Sequence, residues 1–171
     1  DRLFDQELPK PLPSEKWWVE HFFQFDADWN LSERPEDCAF HGTIDLLIVD
    51  TVTGEVRIFD WKTSREVEPL SELRVNLQLG VSYPFAGCAI ARMAGVEPTQ
   101  VVVGRQYIPV ATLQKFNIPL EEVGDAPRKL RARMDAIHGA GEFPPKPGSG
   151  CFYCPAIRLC DAAKAAGTAS S

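Results

Sequence analysis

The pattern of apolar and polar positions changes its period near residue 70. Before that point, residues 17–25, 39–49 and 55–63 are short stretches rich in aromatic and branched side chains. Stretches of this length and composition predict β-strands. Thr53 and Gly54 separate the last two stretches and predict a turn, so residues 39–63 are expected to form a hairpin.

Beyond that point the apolar residues recur at steps of three and four. Leu70, Leu73, Leu77 and Val81 follow this spacing, which is typical of an amphipathic helix. Pro84 is expected to kink or end the helix, because proline lacks the N–H that a helix interior requires.

The remaining patterned segments complete a mixed set of elements. Residues 99–109 predict a further strand, and residues 119–141 contain a second helix that Gly139 and Gly141 should stop. Strands interspersed with helices imply a layered α/β or α+β domain. The predicted organisation is an N-terminal arm at 1–16, a domain at 17–160 and a fraying tail at 161–171.

Composition narrows the class of protein. The chain has 171 residues, 44% of them apolar and 25% charged, as in an ordinary globular domain, and no apolar run approaches the roughly 20 residues that span a bilayer. Its net charge of −6 argues against nucleic-acid binding through the whole surface. A start at Asp1 rather than Met is expected of a processed or excised piece of a longer protein.

Three charged residues stand inside the predicted hairpin. Because side chains alternate between the two faces of a strand, Asp60 and Lys62 point to the same face of the second strand. The hairpin can bring Asp45 of the first strand close to both. Two neighbouring carboxylates repel unless a cation lies between them, and Mg²⁺ binds a few carboxylate oxygens while keeping waters. The alternative is a cross-strand ion pair between Asp45 and Lys62, which would contribute roughly 0 to 1 kcal/mol.

The stretch "GTIDLLIVDTVTGEVRIFDWKTS" resembles the central motif of RecB-like nucleases of the PD-(D/E)XK superfamily. The motif reads approximately G-x-x-D, a turn, then D-[YW]-K-T, and the matching residues are Gly42, Asp45, Asp60, Trp61, Lys62 and Thr63. The resemblance implies a restriction-endonuclease-like α/β core, a central mixed sheet flanked by helices. It also implies Mg²⁺ or Mn²⁺ held by Asp45, Asp60 and the carbonyl of Trp61, with Lys62 as the catalytic lysine.

Further site residues follow from the same resemblance. Family members carry Q-x3-Y on the next helix, whereas Gln78 and Tyr83 are spaced as Q-x4-Y. Residues five apart diverge around an α-helix, so Gln78 is the catalytic candidate, while Tyr83 fits the motif less well and both could be ordinary helix residues. Glu20 and His41 are further candidate metal ligands. His41 could equally be a partly exposed strand histidine.

The end of the chain carries a second candidate metal site. Cys151, Cys154 and Cys160 form C-x2-C-x5-C, and three of five cysteines within ten residues suit a metal or cluster in a reducing cytoplasm. The spacing resembles the iron–sulfur motif that ends the CRISPR-associated exonucleases and AddB-type helicase-nucleases. It implies a 4Fe–4S cluster, with Cys38 or a cysteine upstream of Asp1 as fourth ligand. Zinc bound with His138, and unbound structural cysteines, are the alternatives.

DNA binding by an acidic protein needs locally concentrated cations. The candidates are Arg65, Arg74, Arg128, Lys129, Arg131 and Arg133. A solvated basic helix face is the alternative for the last four. The sequence thus predicts a metal-dependent deoxyribonuclease, an exonuclease in recombination, repair or phage DNA processing, with a possible helicase or recombination partner. An iron–sulfur-stabilised DNA-binding or helicase-accessory module is the second hypothesis, and a metal-binding domain unrelated to nucleic acid the third.

Overall fold

A mixed five-stranded β-sheet organises the protein. The structure is a computed structural model that describes residues 11–142 and 144–165, apart from the side chains of Ser149 and Phe152. The strands are β1 (Glu15–Phe25), β2 (Phe40–Asp50), β3 (Glu55–Lys62), β4 (Gln100–Tyr107) and β5 (Thr112–Ile118). They lie side by side in chain order, and β3 and β4 are parallel while the other neighbours are antiparallel.

Helices connect and flank these strands. The α-helices are α1 (Leu70–Val75), α2 (Tyr83–Met93), α3 (Leu120–Gly124), α4 (Ala126–His138) and α5 (Asp161–Ala165), and a π-helix (Leu77–Ser82) leads into α2. Helix α2 packs closely on β3, since a Cβ placed on Gly87 would lie 2.8 Å from Cδ1 of Ile58. The predicted class, a mixed sheet flanked by helices, is confirmed.

The predicted hairpin is formed by β2 and β3. Gly54 occupies the turn with a φ of 76°, a conformation that glycine adopts without steric cost. Strand β1 begins at Glu15, two residues before the predicted boundary, and residues 1–10 of the predicted arm lie outside the described residues.

The predicted helix after Leu70 differs from the one observed. Its first segment ends at Val75, and the side chain of Asn76 accepts hydrogen bonds from the N–H groups of Gln78 and Leu79 to start the next. The break therefore comes at Asn76, where a side chain satisfies the free backbone donors, and not at Pro84. Pro84 lies in the first turn of α2, directly after the π-helix, and the helical backbone continues through it.

Two further elements depart from prediction. Strand β5 is absent from the predicted elements, because only Phe116 and Ile118 of its seven residues are buried and its sequence lacks a continuous apolar run. The segment 119–141 holds two helices, and the second ends at His138, directly before the predicted stop at Gly139. Part of the predicted tail forms α5, and residues 166–171 lie outside the described residues.

The chain divides into two compact units. The first ends at Arg133 and includes the whole sheet, and the second begins at Met134 and includes the cysteine-rich segment. Within the second unit, Ser149–Tyr153 and Ile157–Leu159 form 3-10 turns before α5. None of the helices in the described residues has the length and apolar character needed to cross a membrane.

Candidate active site

The two predicted acids lie on neighbouring central strands. Leu46 pairs with Phe59 and Leu47 with Ile58, and the same register continued by one residue places Asp45 opposite Asp60. Side chains two apart on a strand point to the same face, so Asp60 lies on the face of Ile58, and Asp45, opposite Asp60, shares it. This is the face of the sheet on which α2 packs, against Ile58. The main-chain N–H of Trp61 donates to Oδ2 of Asp45 at 2.7 Å, which ties the Asp45 carboxylate to β3.

Lys62 lies directly beside Asp60. Its Nζ is 2.9 Å from Oδ1 of Asp60, and the Lys62 side chain is 37% exposed whereas that of Asp60 is 2% exposed. The ion pair considered as the alternative, Asp45 with Lys62, differs from the one observed, in which Lys62 pairs with Asp60. A buried carboxylate thus meets an amine that reaches solvent.

Two residues absent from the sequence-based candidates complete the surroundings of Asp60. Arg105 pairs with Asp60 across the β3–β4 register, and its Nε donates to Oδ2 of Asp60 at 2.8 Å. Its Nη1 donates to Oε2 of Glu68, also at 2.8 Å. A lone arginine within the apolar strand "VVVGRQY" is the same signal that singled out the aspartates, and it could have identified Arg105.

The structure brings Tyr83 and Gln78 together beside the acids. In the π-helix (Leu77–Ser82), the main-chain N–H of Tyr83 donates to the carbonyl of Gln78, five residues earlier. The side chains of Gln78 and Tyr83 therefore do not point apart as they would in an α-helix. The Gln78 amide donates to the Tyr83 hydroxyl, which donates to the main-chain carbonyl of Thr43. Burial, followed by the negative charges of Asp60 and Asp45, raises the pKa of the Tyr83 phenol to about 12.

Glu20 and His41 lie at the margin of this site. On β1, Val19 pairs with Leu46 and His21 with Ile44, so Glu20 lies opposite Asp45 of β2. The backbone of Glu20 has a left-handed conformation with a φ of 49°. His41 is exposed, and its ring lies 5.7 Å from that of Phe22.

A cavity of about 230 Å³ adjoins the site. Its walls combine aromatic rings with the two polar residues of the π-helix region. The lining residues are Phe23, Phe40, His41, Gly42, Leu77, Gln78, Ser82 and Tyr83. Tyr83 thus belongs both to the surroundings of the acids and to the cavity wall.

The acids fit a magnesium-type site with few protein ligands. Within residues 11–142 and 144–165, no group of three or more His, Cys, Asp or Glu side chains is placed to hold a metal ion. Asp45 and Asp60 remain as a pair of carboxylates on one face, and Mg²⁺ commonly uses one or two carboxylates and completes its shell with water and phosphate oxygens.

The candidate DNA-binding cations differ in their surroundings. Arg74 donates to the Asn117 carbonyl at 3.3 Å, and Arg128 pairs with Asp125 at 2.6 Å. Arg131 donates to the Ala27 carbonyl at 2.6 Å and its guanidinium lies over the Trp29 ring. Arg65 and Arg133 are exposed and Lys129 is half-buried.

The three C-terminal cysteines line one cavity of the second unit. Cys151, Cys154 and Cys160 share a pocket of about 290 Å³ with Pro145, Lys146, Pro147 and Gly150. The Gly148 N–H points to Sγ of Cys151 at 3.3 Å. In the first unit, Cys38 is half-buried, and burial raises the pKa of the Cys88 thiol to about 12.

A mixed sheet with two acids and a lysine on its central strands defines a restriction-endonuclease-like fold. A family model described as the PD-(D/E)XK nuclease superfamily matches residues 2–161. The chain belongs to this superfamily, and membership indicates a nuclease. The match is to the superfamily as a whole and does not distinguish its RecB-like, AddB-like or CRISPR-associated subsets.

Comparison with curated proteins gives no match. A similar solved structure is described as the crystal structure of SSO0001, with 17% sequence identity and a TM-score of 0.44. The alignment covers 85% of this chain and 61% of that one, so this chain spans less than two thirds of that protein's length.

Proposed function

We propose that the protein is a Mg²⁺- or Mn²⁺-dependent deoxyribonuclease, an exonuclease acting on DNA ends in recombination, repair or phage DNA processing. The convergence of Asp45, Asp60 and Lys62 on neighbouring strands carries the proposal. Superfamily membership supports a nuclease independently of that geometry. The exonuclease mode and a helicase or recombination partner rest on the RecB-like motif and the C-terminal cysteine spacing, and the cytoplasmic location rests on the cysteine content.

Each residue has a distinct part in the proposed hydrolysis. Asp45, Asp60 and the Trp61 carbonyl would hold the cation, which when bound polarises a phosphoryl oxygen and lowers the pKa of its water. Lys62 reaches solvent from beside Asp60, so its ammonium can orient the attacking water and stabilise charge on the phosphate. Tyr83 stays protonated at neutral pH and holds the Gln78 segment against β2.

The DNA substrate would contact exposed cationic side chains around Asp45, Asp60 and Lys62. Arg65 follows β3 directly and is exposed, and it is the candidate for a phosphate contact nearest the acids in sequence. Arg74, Lys129 and Arg133 are further candidates in the first unit. Arg128 and Arg131 already contact Asp125 and the Ala27 carbonyl, but both are exposed and keep N–H donors for a phosphate.

Digestion of end-labelled DNA tests the proposal. Single- and double-stranded substrates are incubated with Mg²⁺ or Mn²⁺ and with the wild type, Asp45→Asn and Lys62→Met proteins. We expect cleavage by the wild type alone, and full activity in either variant would reject the assignment. Lys115→Met, which changes an exposed lysine on β5, is the matched control.

We also propose that Cys151, Cys154 and Cys160 bind a 4Fe–4S cluster. All three cysteines line one cavity of the second unit. Binding would require their thiolates to turn toward one cluster, because no three such side chains among the described residues are placed to hold a metal ion together. Anaerobic reconstitution should give a brown protein with broad visible absorption that Cys154→Ser loses and Cys88→Ala keeps. Stoichiometric zinc in a colourless protein would contradict the cluster.

A further inference from the structure

Arg105 is a buried cation for which the proposed hydrolysis gives no role. Its side chain is 3% exposed, in the middle of the sheet, and it bridges Asp60 and Glu68. Buried ion pairs contribute little net stability, because desolvation of the charges offsets their attraction. Stability alone is therefore a weak reason for an arginine at this position.

The two oxygens of Asp60 have partners of different kinds. Arg105 binds Oδ2 from within the sheet, while Lys62 binds Oδ1 from a side chain that is 37% exposed. Lys62 can leave by rotating into solvent. Arg105 cannot, because its guanidinium is enclosed and held at a second point by Glu68.

Glu68 is itself fixed at two points. Its carboxylate accepts from Arg105, and its main-chain N–H donates to the hydroxyl of Tyr107 at 3.0 Å. Tyr107 is almost fully buried on β4, so the segment that follows β3 is attached to β4 through both Arg105 and Tyr107. Glu68 thus holds the planar fork of Arg105 in the orientation that meets Oδ2.

We infer that Arg105, held by Glu68, is a positioning residue that immobilises Asp60 through its Oδ2 atom. Oδ1 of Asp60 is then the oxygen that binds the cation, after Lys62 rotates away from it. The inference rests on the proposed metal site. An arginine is required, because a lysine carries the charge but cannot bridge two carboxylates with a planar fork. Loss of a partner that orients a metal ligand typically lowers metal affinity by about 10- to 100-fold.

Binding of Mn²⁺ to the full chain without DNA tests the inference. Free Mn²⁺ is followed by electron paramagnetic resonance for the wild type, Arg105→Lys and Glu68→Gln. We expect both variants to bind Mn²⁺ about 10- to 100-fold more weakly, as is usual when a partner of a metal ligand is lost. Cleavage by both variants should recover when Mn²⁺ is raised to saturation, because Asp45, Asp60 and Lys62 are unchanged.

Arg57→Lys is the matched control. Arg57 also lies on a central strand and also bridges two carboxylates, those of Glu15 and Glu55, but it has no contact with Asp60. Because the Arg57 side chain is 28% exposed and that of Arg105 only 3%, Arg57→Lys should lose less stability in urea unfolding, and it should retain wild-type Mn²⁺ affinity. A merely structural role for Arg105 would leave Arg105→Lys with the same Mn²⁺ affinity as Arg57→Lys.

The outcomes separate this inference from the proposed function. Wild-type Mn²⁺ affinity in both Arg105→Lys and Glu68→Gln would overturn the positioning role while leaving the nuclease proposal intact. Wild-type affinity in Asp45→Asn would reject the metal site itself. If Arg105→Lys does not fold, Glu68→Gln decides the matter, because the Glu68 side chain is 47% exposed and its loss leaves the buried core unchanged.

Discussion

The side-chain amide of Gln78 donates a hydrogen bond to the hydroxyl of Tyr83, five residues further along the chain. In an α-helix, residues five apart point about 140° away from each other, at 3.6 residues per turn. The π-helix between them absorbs the extra residue, and the Tyr83 hydroxyl reaches the Thr43 carbonyl on β2. The Q-x4-Y spacing therefore gives a paired arrangement close to Asp45 and Asp60.

Tyr83→Phe should remove a pH dependence of stability at high pH. The phenol has a pKa of about 12 in the fold against 10.0 ordinarily, so the unfolded chain loses its proton first. The contribution is complete below pH 10 and is lost as the pH rises to about 12, at about 1.4 kcal/mol per pH unit. Urea unfolding between pH 8 and about 11 checks this.

In Tyr83→Phe the decline should be shallower, and stability at neutral pH should fall by about 1–3 kcal/mol because the Thr43 carbonyl loses its partner. Tyr153→Phe, which changes a tyrosine that is 91% exposed, is the control. An equal pH slope in the wild type and Tyr83→Phe would contradict the effect of burial on this phenol.

Gly80→Ala should disrupt the π-helix. A Cβ at Gly80 would overlap the main-chain carbonyl of Arg74, which cannot move away as a flexible side chain would. We expect a loss of about 1–3 kcal/mol in the free energy of unfolding, as for other overpacked sites, together with reduced cleavage as Gln78 and Tyr83 separate. Gly124→Ala, where a Cβ meets no atom within 4 Å, should leave cleavage unchanged and should not lower the free energy of unfolding.

The two aspartates should differ sharply in their effect on stability. Asp60→Asn leaves Arg105 without its buried charge partner, and we expect a loss of about 3 kcal/mol in unfolding free energy. Asp45→Asn keeps an oxygen for the Trp61 N–H and should cost less than about 1 kcal/mol. Urea unfolding compares the variants, and equal losses would show that Arg105 does not depend on Asp60.

Much of this site could be predicted from the sequence, because the hairpin is specified by local strand and turn signals. Residues 39–49 and 55–63 have strand composition, and the Thr53–Gly54 turn fixes which residues of β2 and β3 face each other. From that register alone, Asp45 and Asp60 share a face. The motif D-W-K-T added the expected roles, and the structure places Lys62 against Asp60.

The missed features depend on long-range contacts. Arg105 meets Asp60 only because β4 pairs in parallel with β3, after a connection of nearly forty residues whose register no local pattern specifies. The position of Tyr83 depends on a π-helix that Asn76 starts and Gly80 permits, whereas three- and four-residue periodicity predicts an uninterrupted α-helix. The Asn76 cap and the close approach of Gly80 to the Arg74 carbonyl determine the helix type there, and the apolar periodicity does not.

Lys62→Met should separate metal binding from cleavage. Methionine has a similar length but no charge, so Oδ1 of Asp60 loses the amine that lies 2.9 Å away. We expect Mn²⁺ to bind at least as tightly as to the wild type, because a competing cation has left, while cleavage falls at least about 100-fold through loss of charge stabilisation. Electron paramagnetic resonance and end-labelled DNA measure the two quantities on the same preparation, with Lys115→Met as control. A tenfold loss of Mn²⁺ affinity in Lys62→Met would mean that Lys62 supports the cation's site, and that the ammonium does not occupy an oxygen the cation needs.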